Sequence, residues 1–567
     1  MLWLALYLPA LSLESWAALD AASAPPADAA PGAADAAAPP DDLPAGAAPA
    51  PRPRALLHAH RITQVDAAAR ACGVRPGMQR ATALALAPAL RLGAADAGRD
   101  AQALRAVADV ALGFSPLVCW ATPPGWRGAG ARPAAGPALV GVQLEVQACL
   151  RLFGGLPALL QRLRAALAPL GHRVRIAAAP TAAAAALLAG WGARAAGLDS
   201  ADALVLGPHA RDRAALQPLL DAAPLALLGL DEAALQALAG MGLLTLGDLG
   251  RLPRDGLARR FGPALLAAVD RARGQAPEAA AGLQPAPRFD QRIELLARAD
   301  TQAQLLAGAR LLLARLVAWA GARQARIARC TLVMHHERRR HRGSGAEPPP
   351  HSTLVLAPAQ PTADAAHLQV LLAERLARQP LPAPALELGL RCDALAEGGA
   401  PNGELFASPA GEREGLARLV ERLQARLGAA QVQRLEPVAD HRPEHATRCP
   451  PADPARLAPP WPAALQAAAA QALHSGALAV QPLWLLPQPQ ALPSGTAAAL
   501  PLLDGRPLQL LAGPQRLETG WWDADGPAVR DYFIARTEAG ALAWVYRHRL
   551  PLAQAAAADW FLQGWFG

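Results

Sequence analysis

The sequence predicts an α+β protein built of several domains, on three observations. Between residues 284 and 396 the hydrophobic periodicity runs strand, helix, strand, strand, helix, strand. Two further apolar segments, one within residues 1–16 and one over 138–147, read as strands outside that block. Seven of the thirteen tryptophans lie beyond residue 460, which marks the C-terminal region as a separate folded module or a binding surface. A chain of 567 residues has room for three or four such domains.

Composition narrows the partners. The formal charge is +8 and no lysine occurs, so every fixed cation is an arginine, which favours a polyanion such as nucleic acid. The six cysteines, Cys72, Cys119, Cys149, Cys330, Cys392 and Cys449, form no C-x-x-C pair, an argument against zinc and against a disulfide framework. Reduced thiols in a cytoplasm are the expectation. No apolar run is expected to reach the roughly 18 to 20 residues of a membrane span, stretches such as Ala177 to Gly190 being short and weakly hydrophobic. The apolar start and Ala22-Ser-Ala24 also suggest a secretory signal. No basic residue precedes that run and Pro9 and Glu14 interrupt it, so a signal is the lesser reading.

The elements follow in order. Residues 1–16 resemble the opening strand of Y-family DNA polymerases, hydrophobic-Asp-hydrophobic-Asp-x-Phe-Phe-Ala-x-Val-Glu. With Leu13-Glu14 set on Val-Glu, Ala5 stands at the catalytic aspartate and Tyr7 at the second one. Residues 17–54, mostly Ala, Pro, Asp and Gly, bury little apolar surface and are expected to be a flexible insertion. Ala67 to Met78 is similar to the fingers sequence Tyr-x-Ala-Arg-x-Phe-Gly-Val-x-x-x-Met, with Gly73 and Gly77 supplying turn geometry. Gly113-Phe-Ser-Pro-Leu-Val118 resembles the family's Ser-Pro-x-Val-Glu, the glutamate being Cys119 here. In the strand Ala138 to Gln147, matching Leu144-Glu145-Val146 to Leu-Asp-Val puts Val140 and Gly141 at the family's catalytic Asp-Glu pair.

Residues 225–252 resemble the helix-hairpin-helix of the polymerase thumb, which implies DNA phosphate contacts by backbone amides at Gly240 and Gly242. An ordinary helical hairpin is the alternative. The block that follows reads strand Arg288–Leu296, helix Thr301–Ala320, strand Ala325–Met334, strand Ser352–Leu356, helix Thr362–Leu376 and strand Ala385–Cys392, the order of the family's little finger. Its central loop carries His335-His-Glu-Arg-Arg-Arg-His-Arg342. It reads better as a basic hairpin than as a metal site, with Arg338, Arg339, Arg340 and Arg342 either meeting phosphates or merely solubilising the loop.

The resemblance therefore implies a Y-family polymerase-like palm and fingers over 1–195, a helical thumb over 196–282 and a little finger over 284–396. A linker over 397–460 and a small Trp-rich region over 470–567 follow. Nucleotidyl transfer needs two magnesium ions about 4 Å apart, held by carboxylates. Ala5, Val140 and Gly141 supply none, and Glu14 and Glu145 match family positions that are not ligands. Grip on a triphosphate is eroded as well. Arg70 remains, but Ala67 replaces a tyrosine and Ala182 the lysine of Pro-Asn-Lys. No cofactor or metal is implied. The rival is an active translesion polymerase with atypical metal ligands.

A polymerase-like chain stripped of its metal ligands resembles the ImuB family. That family implies a non-catalytic part in SOS-induced translesion synthesis and mutagenesis, with damaged or primed DNA, the sliding clamp, ImuA and an error-prone DnaE-type polymerase as partners. Asn402-Gly403-Glu404-Leu405-Phe406 is similar to the clamp-docking peptide Gln-x-x-Leu-Phe, Asn402 being one methylene shorter than Gln. Gln481-Pro-Leu-Trp484 competes for that role but reads better as the start of a strand. Ser408-Pro409 caps a helix whose Leu416, Leu419, Val420, Leu423 and Leu427 share a face expected to pack within the protein. Trp521, Trp522, Tyr532, Trp560, Phe561, Trp565 and Phe566 are the candidate anchors for ImuA and the polymerase. For Trp521, Trp522 and Tyr532 a small β-rich core is an equal alternative.

Overall fold

The computed structural model describes residues 1–23, 52–121, 141–278, 281–337, 349–398, 409–456, 471, 481–482, 484–494, 500–522, 527–549 and 560–566. The chain divides into two compact units, Met1–Leu405 and Phe406–Gly567.

The first unit opens with β1 (Trp3–Tyr7), in which Leu2, Leu4 and Leu6 are fully buried and Trp3 and Ala5 nearly so. An apolar run with no polar alternation is what a strand covered on both faces requires. Helix α1 (Leu11–Ser23) follows, so the expected insertion over 17–54 is corrected at its start. Asp20, almost fully buried, accepts hydrogen bonds from Arg54 Nε at 2.9 Å and Arg91 Nη2 at 2.7 Å and ties the helix to the next module. That module comprises β2 (Arg54–His58), β3 (Arg61–Val65), α2 (Ala67–Ala71), α3 (Arg80–Leu86) and β4 (Arg91–Gly93), its strands ordered β3-β2-β4. Ala59 and His60, at φ 46° and 64°, make the tight turn of the β2–β3 hairpin.

Helix α4 (Ala97–Leu112) leads to β5 (Val118–Ala121) and β6 (Gly141–Glu145), then α5 (Leu150–Phe153), α6 (Leu156–Leu167), β7 (Arg175–Ala179) and α7 (Ala182–Trp191). The sheet has the order β5-β6-β1-β7, antiparallel throughout. β6 is shorter than the strand expected over 138–147, whose first three residues lie outside the described ones. A helical region follows: α8 (Ala203–Leu206), α9 (Arg213–Ala222), α10 (Glu232–Gly240), α11 (Leu246–Gly250), α12 (Arg254–Phe261) and α13 (Pro263–Arg273).

The expected β-α-β-β-α-β order is the one found: β8 (Asp290–Ala299), α14 (Gln302–Ala322), β9 (Ala325–His336), β10 (His351–Leu356), α15 (Ala365–Arg378) and β11 (Ala385–Glu397). The sheet order is β10-β9-β11-β8. A capping box of Thr301 and Gln304 starts α14. Contrary to the sequence expectation, α14 is long and apolar enough, at 21 residues, to cross a membrane. Here it is a core helix, with Leu305, Leu312, Leu313 and Leu316 fully buried and Gly308 pressed on Leu388 and Leu295 of the sheet. Arg315, 2% exposed, donates to Gln102 Oε1 at 3.0 Å, which ties α14 to α4.

In the second unit, α16 (Pro409–Leu427), β12 (Glu436–Pro437) and β13 (Thr447–Arg448) precede β14 (Trp484–Leu492), β15 (Leu502–Leu503), β16 (Arg506–Pro507), β17 (Gln509–Thr519), β18 (Ala528–Arg536), β19 (Leu542–His548) and β20 (Trp560–Trp565). As expected, Trp484 begins a strand. The main sheet has the order β14-β20-β19-β18-β17. Alternation gives it two apolar faces. One buries Ala535, Val545, Trp560 and Leu562, the other Tyr532, Trp544 and Tyr546. The leucine face of α16 does not pack as expected: Leu416, Leu419, Leu423 and Leu427 are all exposed, and the buried row is Ala417, Glu421 and Ala425. Ala417 and Ala425 allow close approach on that side, which hydrophobic spacing alone does not reveal.

Candidate functional site

The candidate site lies where β1 and β6 pair. The register sets Tyr7 opposite Gly141 and Ala5 opposite Gln143, and on the other side of β1 it sets Ala5 opposite Ala177 and Tyr7 opposite Arg175. Ala5 and Gly141 thus stand two pairs apart on adjoining strands, both buried, while Val140 lies outside the described residues. Neither carries a group able to hold a dication. Gly141 is required by close approach: a Cβ built there overlaps the Leu6 carbonyl oxygen and comes within 3.3 Å of Tyr7 Cα. Burial raises the Tyr7 hydroxyl pKa, against the charge of Arg175, whose guanidinium lies 5.8 Å from the ring centroid.

The surrounding polar groups are committed to the fold. Cys119 Sγ donates to Gln143 Oε1 at 3.6 Å, and Gln143 Nε2 donates to the Ala182 carbonyl at 2.7 Å, fixing β5 and β6 to the start of α7. At that helix end the Glu278 carboxylate accepts from the amides of Ala182 and Ala183, at 2.7 and 2.8 Å. Thr181 Oγ1 accepts from Ala184 N and donates to the Ala272 carbonyl. The positive end of α7, a natural cradle for an anion, is therefore filled by a carboxylate of the same chain. Burial raises the Glu278 pKa, with the two amides pulling the other way.

Two more carboxylates lie on these elements. Glu14 accepts from Arg173 N at 2.9 Å and Arg173 Nε at 2.6 Å. Burial works to raise its pKa, but the bonds from His172 and Arg173 prevail and hold it below the usual carboxylate range. Glu145 accepts from Leu2 N and Gln147 N, at 3.2 and 3.1 Å. Neither projects into a shared cluster, and among the described residues no group of three His, Cys, Asp or Glu is placed to hold a metal ion. Arg70 is exposed on α2, with Ala67 at its first turn.

The other sequence-predicted positions fare differently. Gly240 ends α10, and the Gly242 amide donates to Ala239 O at 2.9 Å, with Gly242 at φ +78° closing the helix. The Gly242 amide is thus bonded within the C-cap of α10, while Gly240 and Gly242 are both exposed. The hairpin also presents exposed Met241 and Leu244. Arg338, Arg339, Arg340 and Arg342, and the peptide Asn402 to Phe406, lie outside the described residues.

Of the C-terminal aromatics, Trp521 and Trp522 are 72% and 61% exposed and form an edge-to-face pair with centroids 4.6 Å apart. Tyr532 and Trp560 are buried core residues, which corrects their reading as interface anchors. Their positions alternate along strands whose two faces are both covered. Phe561, Trp565 and Phe566 are half-buried. Sequence reasoning missed a closed polar ring beneath this sheet. Arg530 Nη2 lies 2.8 Å from Glu444 Oε1, Arg530 Nη1 donates to Tyr532 Oη at 3.1 Å, Tyr532 Oη donates to Gln563 Oε1 at 2.7 Å, and Gln563 Nε2 returns to Glu444 Oε2 at 2.7 Å. Ring members up to 119 positions apart left no local signal.

No protein-family model matches the chain. Among solved structures it is similar to the Dbh ternary complex (12% identity, 70% of this chain and 100% of that one, TM-score 0.33) and to DinB from Sulfolobus solfataricus (12% identity, 69% and 98%, TM-score 0.31). Among curated proteins it is similar to Protein ImuB of two Caulobacter vibrioides strains, NA1000 / CB15N and ATCC 19089 / CIP 103742 / CB 15. Each match is 30% identical over 523 residues, 87% of this chain and 100% of the relative. With a relative matched along its whole length at that identity, the chain belongs to the ImuB family.

Proposed function

We propose that this chain is a non-catalytic, polymerase-like scaffold of damage-induced translesion synthesis in the bacterial cytoplasm. It binds damaged or primed DNA without sequence preference, docks on the sliding clamp through Asn402 to Phe406, and recruits ImuA and an error-prone DnaE-type polymerase through its C-terminal unit. The observation that carries the reading is the β1–β6 register. In it Ala5 and Gly141 are buried, the two residues that the polymerase resemblance aligns with metal-binding carboxylates, and the Leu6 carbonyl closes the space beside Gly141. The Glu278 cap on α7 supports it, because the anion-binding helix end is already occupied. The net charge of +8 suits a nucleic-acid partner, and exposed Trp521 and Trp522 suit protein contacts. Tethering to the clamp would raise the local concentration of the recruited polymerase without any chemistry in the scaffold.

The test is magnesium-dependent primer extension by the purified full chain on a template-primer it binds, beside an active Y-family polymerase. Binding with no incorporation is expected, together with clamp binding that Leu405→Ala/Phe406→Ala abolishes. Incorporation retained after removal of any copurifying polymerase would establish the rival reading, a polymerase with atypical ligands.

A further inference from the structure

Helix α16 turns a leucine seam to solvent. Its packed side is the row Ala417, Glu421 and Ala425, set against the turns at Ala429–Gln431 and Pro454–Arg456. Leu416, Leu419, Leu423 and Leu427, spaced by three, four and four residues, are 49%, 52%, 38% and 52% exposed. At 1.5 Å per residue they form one stripe about 16 Å long. Exposed single leucines are ordinary, but four in register on one helix face are not. Arg422 and Arg426, both exposed and one turn apart, run along one edge of the stripe. Spacing of this kind is matched by the apolar face of another helix, whose knobs enter the holes between the leucines.

We propose that the Leu416–Leu427 seam of α16 is a docking surface for an amphipathic helix of a partner protein that carries carboxylates along its flank. The arginines select the sign of that flank. A second copy of α16 laid antiparallel would set the edge carrying Arg422 and Arg426 against the same edge of its copy, whereas glutamates beside an apolar stripe would pair with them. The inference is independent of the DNA and clamp readings, since it concerns neither surface.

The experiment measures binding of the full chain to two fluorescent designed helices of about three heptads, leucine at a and d, one with glutamate and one with lysine at e and g. The glutamate helix is expected to bind at least about tenfold tighter, a difference of about 1.4 kcal/mol. Leu419→Asp/Leu423→Asp abolishes binding, and Arg422→Glu/Arg426→Glu inverts the preference. Both variants keep the parent melting temperature, because all four side chains are exposed. Equal binding of the two helices, or none, overturns the proposal. A fall in melting temperature for Leu419→Asp/Leu423→Asp assigns the seam to packing within the chain and overturns it. So does a parent chain that sediments as a dimer and becomes monomeric in that variant, which names a second copy as the occupant.

Discussion

Gly141 on β6 lies against the main chain of Leu6 on β1 so closely that any Cβ at 141 overlaps the Leu6 carbonyl oxygen. Backbone, unlike a flexible side chain, cannot swing aside. Gly141→Ala should therefore cost about 1–3 kcal/mol, the usual range for forcing atoms into a packed site. Calorimetry of the full chain checks this, and Ala5→Asp/Gly141→Glu should lower the melting temperature further while primer extension stays at background. Extension by that variant would show that β1 and β6 separate enough to admit carboxylates.

Asp109, buried on α4, has a pKa raised to about 6 by burial, only partly offset by Arg105 Nε at 3.1 Å. The folded state holds this proton more tightly than the unfolded one, so Asp109 favours folding most below its unfolded value of 3.8. Stability from this group is lost as pH rises through about 6. Asp109→Asn should flatten the decline between about pH 4 and pH 6 and leave the variant about 1–3 kcal/mol more stable than the parent at pH 7.5. Chemical denaturation from about pH 4 to pH 7.5 measures it, and parallel curves for the two proteins would refute it.

Glu444 is the hub of the polar ring beneath the C-terminal sheet. Burial works to raise its pKa, yet the bonds from Arg530 and Gln563 keep it low. Glu444→Ala strands the Arg530 guanidinium and should destabilise the unit by about 3 kcal/mol. Tyr532→Phe removes one hydroxyl between two partners and should cost about 1–2 kcal/mol. Equal losses would mean that the ring does not centre on the ion pair.

Trp521 and Trp560 should separate binding from stability. Trp560→Ala empties a core position on β20 and should cost about 3–5 kcal/mol. Trp521→Ala/Trp522→Ala should change stability by less than about 0.5 kcal/mol, since both rings are largely solvated. The same pair of changes should weaken capture of ImuA or the DnaE-type polymerase in a surface-plasmon assay with the purified proteins. Unchanged capture would move the recruiting surface elsewhere on the unit.

Legibility differed from element to element for identifiable reasons. The β8-to-β11 module was readable because its periodicity changes between 2 and 3.6 with each element. The extension of α1 to Ser23 was hidden in an Ala-rich stretch, since its anchor is Asp20, whose partners Arg54 and Arg91 arrive 34 and 71 positions later. The hairpin glycines were placed in the right turn, but the internal bond of the Gly242 amide depends on how α10 ends. At α16 the spacing identified the stripe and not its environment.

By itself the sequence determined which side chains stand at Ala5 and Gly141, because those are the same in any fold the strands adopt. It also determined the strand and helix order of the β8-to-β11 module, because that order is written in local periodicity. Tertiary structure alone decided that the Leu6 carbonyl bars a side chain at Gly141, that Glu278 closes α7, and that Tyr532 and Trp560 are core while Trp521, Trp522 and the α16 leucines face water. Each of these depends on which distant segment arrives at a given surface, and burial is a property of that arrival, not of the residue.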